Sequence, residues 1–106
     1  MYNLKWTDEE KQLARSLFDN CHQAELEHMM AELKQRAASI NTPEDMWALL
    51  NDLNQRQREI QYKYGDYRYS QLILLFGRLV REGHLKMEQL ENLSEDKLVY
   101  IRRIVE

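Results

Sequence analysis

The chain has 106 residues, which is enough for one small domain around one hydrophobic core, and its formal net charge is −3. That charge argues against a nucleic-acid partner, because phosphate contacts require an excess of Lys and Arg. Gly occurs three times and Pro once, and the remaining composition favours helix-forming residues, so we expect a single all-α domain.

Signals for membrane insertion or secretion are missing from the sequence. The longest unbroken aliphatic or aromatic run is Leu72 to Phe76, far shorter than the ~20 residues that span a bilayer. The N-terminal stretch MYNLKWTDEE lacks the apolar centre of a signal peptide, and the lone Cys21 cannot form an internal disulfide. We therefore expect a soluble, cytoplasmic protein without membrane insertion.

The first predicted helix begins after Thr7. Thr7 and Glu10 have the spacing of a capping box, in which each side chain accepts a hydrogen bond from the backbone of the other. No Gly or Pro follows before Pro43, so the helix should continue to about Ser39, roughly 30 residues or ~45 Å. Its apolar stripe drifts between Cys21 and Met29, which predicts that the two halves of the helix face different neighbours.

A second helix should begin with Thr42 as the N-cap and Pro43 at the first helical position, and end at Tyr64 before Gly65. The short connection predicts an antiparallel hairpin, a stem over about residues 7–64. Such a hairpin leaves an apolar flank uncovered, and helical stripes gain stability by packing on a partner. A second copy of the chain is the simplest partner, so we expect a homodimeric helical bundle.

The remaining residues, about 68–106, predict a small helical head. Ser70 to Glu82 is apolar on nearly all sides, which is typical of a buried helix. Gly77 permits close helix approach or is a merely tolerated glycine, and Gly83 suits the C-terminal cap. A short helix should follow around Lys86 to Asn92, and Ser94 should cap the last helix.

The sequence gives only weak evidence for a catalytic or metal-binding site. Glu25 and His28 have the Glu-x-x-His spacing of di-iron bundles, but a second such pair is missing and a solvated helix face is the expected role. Cys21 lies among apolar residues and should be a small buried hydrophobe. With no catalytic triad and no phosphate-binding loop, we expect neither an enzyme nor a bound cofactor or metal.

Tyrosines cluster with cations at the end of the second helix. Aromatic rings interleaved with positive charge can stack on single-stranded nucleic acid, whereas packing inside the protein is the competing interpretation. The net negative charge of the chain favours packing. The tyrosines are Tyr62, Tyr64, Tyr67 and Tyr69, beside Lys63 and Arg68.

The second helix carries two faces. One stripe, at positions 46, 50, 53, 57, 60 and 64, is apolar except for Gln57. The other face contains Trp47, Asn51, Asn54 and Arg58, a composition typical of interface anchors, although Trp47 packed into the stem fits the spacing equally well. We predict that the dimer interface contains Met46, Trp47, Leu50, Asn51, Leu53 and Gln57. Gln57 would set the register between copies, as polar core positions do in coiled coils.

Four segments together resemble the fluorescence recovery protein family. They are WTDEEKQLARSLFDNCHQAEL, DMWALLNDL, REIQYKY and LLFGRLVREGHLKMEQLENLSEDK, in this order along almost the whole chain. The resemblance implies a homodimer with a long-helix stem and a helical head. It also implies binding to the C-terminal domain of the photoactivated orange carotenoid protein, and an accelerated return of that protein from its red to its orange form.

The resemblance also marks where this chain departs from the family. Leu50 and Asn51 align with a histidine and an aspartate, and Gln57 aligns with an arginine. In the head, Leu74 aligns with a phenylalanine and Tyr100 with a lysine. The partner-binding residues that we predict are Trp47, Asn51, Asn54, Arg58, Leu74 and Tyr100. A helical adaptor or scaffold dimer of the same fold with a different protein partner is the alternative function.

Overall fold

The computed structural model describes residues 3–106, and they confirm the all-α prediction. Four α-helices and one short 3₁₀ helix form within this range, with no strand among the described residues. The α-helices are α1 (Asp8–Ala38), α2 (Pro43–Tyr64), α3 (Tyr69–Arg81) and α4 (Glu95–Val105), and the 3₁₀ helix is Met87–Leu90. None of these helices combines the length and the apolar content that are needed to cross a membrane.

The predicted helix starts of α1 and α2 are confirmed by their caps. Thr7 N–H donates to Glu10 Oε1 at 3.0 Å, and Glu10 N–H donates back to Thr7 Oγ1 at 3.1 Å. At α2, Asp45 N–H donates to Thr42 Oγ1 at 3.1 Å, with Pro43 as the first helical residue. Both helices therefore begin where a side-chain oxygen satisfies a free backbone N–H.

Glycines fix the end of α3 and its contact with α4. Gly83 has φ +84° and donates to Val80 O, while His84 N–H donates to Leu79 O, which together make a Schellman motif. A Cβ on Gly77 would lie 2.4 Å from Ile104 Cγ2. Close helix approach, one of the two interpretations of Gly77, is therefore confirmed.

Two local details differ from the sequence-based expectation. The helix predicted around Lys86 to Asn92 is a single 3₁₀ turn over Met87–Leu90. Ser94 is the N-cap residue of α4 as predicted, but its hydroxyl makes no capping hydrogen bond. Its Oγ instead accepts a hydrogen bond from Lys97 Nζ at 3.1 Å, so the ammonium competes for the oxygen that we expected to cap the helix.

The chain divides into two compact units. Among the described residues, the head unit contains residues 3–21 together with Tyr67–Glu106, and the hairpin unit is His22–Asp66. The division falls inside α1, where the apolar stripe drifts, and confirms that the two halves of this helix have different neighbours. The first part of α1, which the sequence assigned to the stem, thus belongs to the head unit.

The hydrophobic core lies in the head unit. Its buried apolar residues come from the first part of α1, from α3 and α4, and from the segment between those two helices. They are Ala14, Leu17, Phe18, Cys21, Leu72, Ile73, Phe76, Leu79, Leu85, Leu90, Leu93, Leu98 and Ile101. In the hairpin unit, which is described without gaps, Tyr64 is the one aliphatic or aromatic residue that is buried.

Candidate functional site

Three ion pairs join the two helices of the hairpin unit. The pairs are Glu25–Lys63 at 3.0 Å, Glu32–Arg56 at 2.5 Å and Arg36–Asp52 at 2.9 Å. The two residue numbers of every pair have the same sum, so all three belong to one antiparallel register. Because each pair places one charge on α1 and the opposite charge on α2, the ion pairs fix how the helices align.

These charges turn α2 away from the orientation that its apolar stripe predicted. Leu53, Ile60 and Tyr64 are at least half-buried as expected, but Met46 and Gln57 are exposed. Arg56 and Lys63 occupy inward positions to reach their carboxylates, and this rotates α2 by part of a turn. The sequence reasoning missed these two pairs. Glu25 and Glu32 are seven apart, as are Arg56 and Lys63, and that shared spacing was the available signal.

The row Trp47, Asn51, Asn54 and Arg58 lies on the outer surface of α2. Trp47 is 57% exposed, so the alternative in which it packs into the stem does not hold within one protomer. Asn51, Asn54 and Arg58 are exposed as well. Between residues 3 and 106, none of the four side chains takes part in a hydrogen bond, an ion pair or a ring contact. We call these four residues the outer row.

Exposed apolar side chains of α1 and α2 share one face of the hairpin. Each residue of an α-helix is rotated by about 100° from the residue before it. Met30 therefore lies roughly a quarter turn past the inward-facing stripe of α1, and Leu50 lies roughly a quarter turn past the inward-facing stripe of α2. In antiparallel right-handed helices, side chains so placed project to the same side of the pair. Met30, Met46 and Leu50 are 42 to 50% exposed. With Leu26, Leu33 and Ala37, they form what we call the apolar flank.

The predicted head residues lie on the other compact unit. Leu74 on α3 and Tyr100 on α4 are half-buried, and these two helices pack against each other. The Arg103 guanidinium lies 5.8 Å from the centre of the Tyr100 ring. The predicted partner-binding residues are therefore divided between the units, with the outer row on the hairpin and this pair on the head.

Glu25 and His28 have separate protein partners. The Glu25 carboxylate accepts hydrogen bonds from Lys63 Nζ at 3.1 Å and from the Tyr64 hydroxyl. His28 is exposed and its Nε2 lies 2.8 Å from Glu32. The expectation of a solvated face holds for His28 but is wrong for Glu25, because Lys63 draws that carboxylate into the hairpin.

Most of the clustered tyrosines pack inside their own unit. Tyr64 stacks on His22 with ring centres 4.6 Å apart, and Tyr67 meets Phe18 edge-on at 4.9 Å. Tyr69 lies 5.6 Å from Tyr67. Packing, rather than an open stacking platform, is thus the role of these rings, while Tyr62 alone among the four projects fully into solvent. Cys21 is buried in the head unit, as its apolar neighbours predicted.

Comparison with known proteins gives one consistent match. The family model of fluorescence recovery protein, described as a photoprotection regulator, matches residues 6–105. The fluorescence recovery protein of Synechocystis sp. (strain ATCC 27184 / PCC 6803 / Kazusa) is 34% identical over 99 residues, which are 93% of this chain and 90% of that protein.

Solved structures agree with the sequence match. The fluorescence recovery protein of Fremyella diplosiphon superimposes with a TM-score of 0.89 at 33% identity, covering 94% of this chain and 97% of that one. The Synechocystis sp. PCC 6803 structure gives the same TM-score and the same coverage at 34% identity. Both the sequence and the fold are thus similar over nearly the full length.

Proposed function

This chain belongs to the fluorescence recovery protein family of photoprotection regulators, and from that premise we propose that it is a cytoplasmic, homodimeric regulator without enzymatic activity. Its partner is the C-terminal domain of an orange carotenoid protein or of a related protein. Binding accelerates the return of that partner from its red to its orange form. The family match over residues 6–105 is the observation that carries this proposal.

Physical chemistry defines what such a regulator must do. A binding protein accelerates a conformational return only if it binds the transition state, or a state close to the closed form, more tightly than the open form. Differential binding needs an anchor that makes contacts in one state and not in the other. The outer row supplies an exposed indole and a guanidinium, two side chains that are enriched at interface hot spots, together with two amides that can form hydrogen bonds.

The hairpin unit has almost no hydrophobic core of its own, and this supports the homodimer. Tyr64 is its one buried aliphatic or aromatic residue, and side chains of the apolar flank stay exposed to water. A second hairpin laid on this flank makes a four-helix bundle and buries both flanks at once. Gln57 lies beside the flank and is exposed, which suits a polar position that sets the register between copies.

The test follows the absorbance of the carotenoid protein in the dark. Photoactivated orange carotenoid protein is mixed with this protein in excess, and the rate of the red-to-orange return is measured. We expect acceleration and co-elution, and we expect Trp47→Ala to lose both while Glu59→Ala, an exposed position about 120° further around the same helix, retains them. An unchanged rate without co-elution would overturn the assignment of this partner.

Four positions favour a second candidate, a helical adaptor or scaffold dimer with a different protein partner. Leu50, Asn51, Gln57 and Tyr100 carry no full charge at neutral pH, whereas the resemblance implies charged or titratable residues at these positions. Loss of charge changes which partner an interface accepts, because complementary potentials set specificity. Failure of the recovery assay, with the dimer intact, would favour this candidate.

A further inference from the structure

Tyr62 is the most exposed large apolar side chain within residues 3–106. Its exposed fraction is 87%, against 57% for Trp47. Of the other exposed side chains of this kind, three belong to the apolar flank, and Tyr69 packs against the rings of Trp6 and Tyr67. Tyr62 takes part in no hydrogen bond, ion pair or ring contact among the described residues, so nothing within one protomer covers its ring.

The position of Tyr62 continues the outer row toward the end of α2. Tyr62 follows Arg58 by four residues, a spacing at which two side chains are neighbours on the surface of a helix. It follows Trp47 by 15 residues, which is ~22 Å along the helix axis and about 60° around it. The two rings therefore stand at opposite ends of one stripe, with Asn51, Asn54 and Arg58 between them. We call these five residues the long row.

The long row stays open when a second copy of the chain covers the apolar flank. Leu50 belongs to the flank, and Tyr62 follows it by 12 residues, which is about 120° around the helix. Trp47, at the other end of the row, is about 60° from Leu50. The row thus runs obliquely, and its Tyr62 end turns farther from the second copy than its Trp47 end. A partner can therefore bind at Tyr62 while the homodimer is intact.

Arg58 gives the long row one uncompensated positive charge. None of the side chains three and four positions away on α2 is acidic; they are Asn54, Gln55, Gln61 and Tyr62. Arg58 also has no ion pair among residues 3–106. A guanidinium is matched best by a carboxylate, which accepts two parallel hydrogen bonds from it. A partner surface that fits the long row therefore places a carboxylate opposite Arg58.

We propose that Tyr62 is a second aromatic anchor for the carotenoid-protein partner, on the same docking surface as Trp47. Trp, Arg and Tyr are the side chains most enriched at binding hot spots, and the long row presents one of each. The occupant is one protein domain with an apolar recess for each ring and a carboxylate between the recesses. A single domain of ~100 residues is wide enough to cover a span of ~22 Å. This inference rests on the proposed function and assigns a role to a residue that the family resemblance leaves unassigned.

Binding of the full chain to photoactivated orange carotenoid protein, measured by biolayer interferometry, tests the anchor. We expect Tyr62→Ala to raise the dissociation constant roughly ten- to hundredfold, as truncation of an aromatic hot spot does. The dimer mass and the melting temperature should not change, because the Tyr62 ring has no contact within its own protomer. Tyr62→Phe keeps the ring and should bind within about fivefold of the wild type. Gln35→Ala, an exposed truncation on α1, is the matched control and should bind like the wild type.

Salt dependence gives the charge a readout of its own. The affinity of the wild type should fall as NaCl rises from about 0.05 to 0.5 M, and Arg58→Gln should flatten this dependence whereas Tyr62→Ala should not. Equal salt dependence in the wild type and in Arg58→Gln would overturn the paired carboxylate. A wild type that binds, with Tyr62→Ala binding equally tightly, would overturn the anchor alone. A wild type that does not bind would overturn the proposed function together with the anchor, so the two failures are distinguishable.

Discussion

Glu10 and Lys97, separated by 87 positions in the chain, form a buried ion pair. Lys97 Nζ lies 3.2 Å from Glu10 Oε1, and the two side chains are only 3% and 7% exposed. The carboxylate also accepts the N–H of Thr7 and, at 2.8 Å, the N–H of Ser94. The ammonium donates to the Lys5 carbonyl at 2.6 Å. One ion pair thus joins the start of α1 to the start of α4.

Replacing Glu10 by Gln should destabilise the protein strongly. The substitution leaves the Lys97 ammonium buried without a carboxylate, and breaking a buried pair in this way costs about 3–5 kcal/mol. The free energy of unfolding, measured by urea denaturation followed by circular dichroism, should fall by about that amount. Glu9→Gln removes an exposed carboxylate from the same helical turn and should change it by less than about 0.5 kcal/mol. Equal effects would contradict the structural role of the pair.

The same carboxylate should make stability depend on pH. Burial by itself raises the pKa of Glu10, but hydrogen bonds from Thr7, Ser94 and Lys97 outweigh burial and hold the pKa below its ordinary value of 4.5. A depressed folded-state pKa stabilises the protein fully above 4.5, and this contribution is lost as the pH falls through the folded-state value. The free energy of unfolding should therefore fall more steeply on acidification in the wild type than in Glu10→Gln. Parallel curves would exclude this contribution.

Gly77→Ala should loosen the packing of α3 against α4. Alanine is the better helix former by about 1 kcal/mol, but its Cβ would lie 2.4 Å from Ile104 Cγ2 and 2.7 Å from Ile104 Cβ. Overpacking of this kind costs about 1–3 kcal/mol, so the melting temperature should drop. In the double variant with Ile104→Ala the contacts with Cγ2 and Cδ1 are removed and only the 2.7 Å approach to Cβ remains, so the combined loss should be smaller than the sum of the single losses. Strict additivity would argue against the contact.

Leu50→Glu should separate the dimer. The substitution places a charge in the apolar flank, where a second copy would have to bury it. Light scattering coupled to size exclusion at micromolar concentration should give twice the chain mass for the wild type and the single mass for the variant. Gln55→Glu introduces the same charge on another exposed side of α2 and should leave the dimer intact. A monomeric wild type would end the dimer proposal.

The predictable parts of the fold are those fixed by neighbours in the sequence. Thr7 with Glu10, Thr42 with Pro43, and Gly83 each set a helix end through contacts within a few residues, so the boundaries of α1 to α3 could be predicted. The weakest local prediction concerned Ser94, because a distant part of the chain determines the surroundings of Lys97, and Lys97 takes the serine oxygen. Local chemistry alone could not reveal that competition.

The unpredictable parts depend on pairs of charges far apart in the sequence. Lys63 and Arg56 are charged residues of the kind that usually face solvent. They turn inward because Glu25 and Glu32 lie opposite them in the hairpin. This rotation decides that Met46 is exposed and that Trp47 projects outward. Periodicity gives the spacing of a stripe but not which arc of the helix meets its neighbour, so the candidate surface required the structure.

Restoring two charges on α2 should strengthen activity toward the carotenoid protein. Asn51→Asp and Gln57→Arg together return an anion and a cation to exposed positions, so the fold should tolerate them within about 0.5 kcal/mol. If the partner reads these charges, the rate of the red-to-orange return should rise about two- to tenfold, since charge complementarity governs encounter and register. Placing the same charges at Ala48 and Gln55, on another side of the helix, is the matched control. An unchanged rate in the first variant, with the dimer mass retained, would mean that the partner is recognised through other residues.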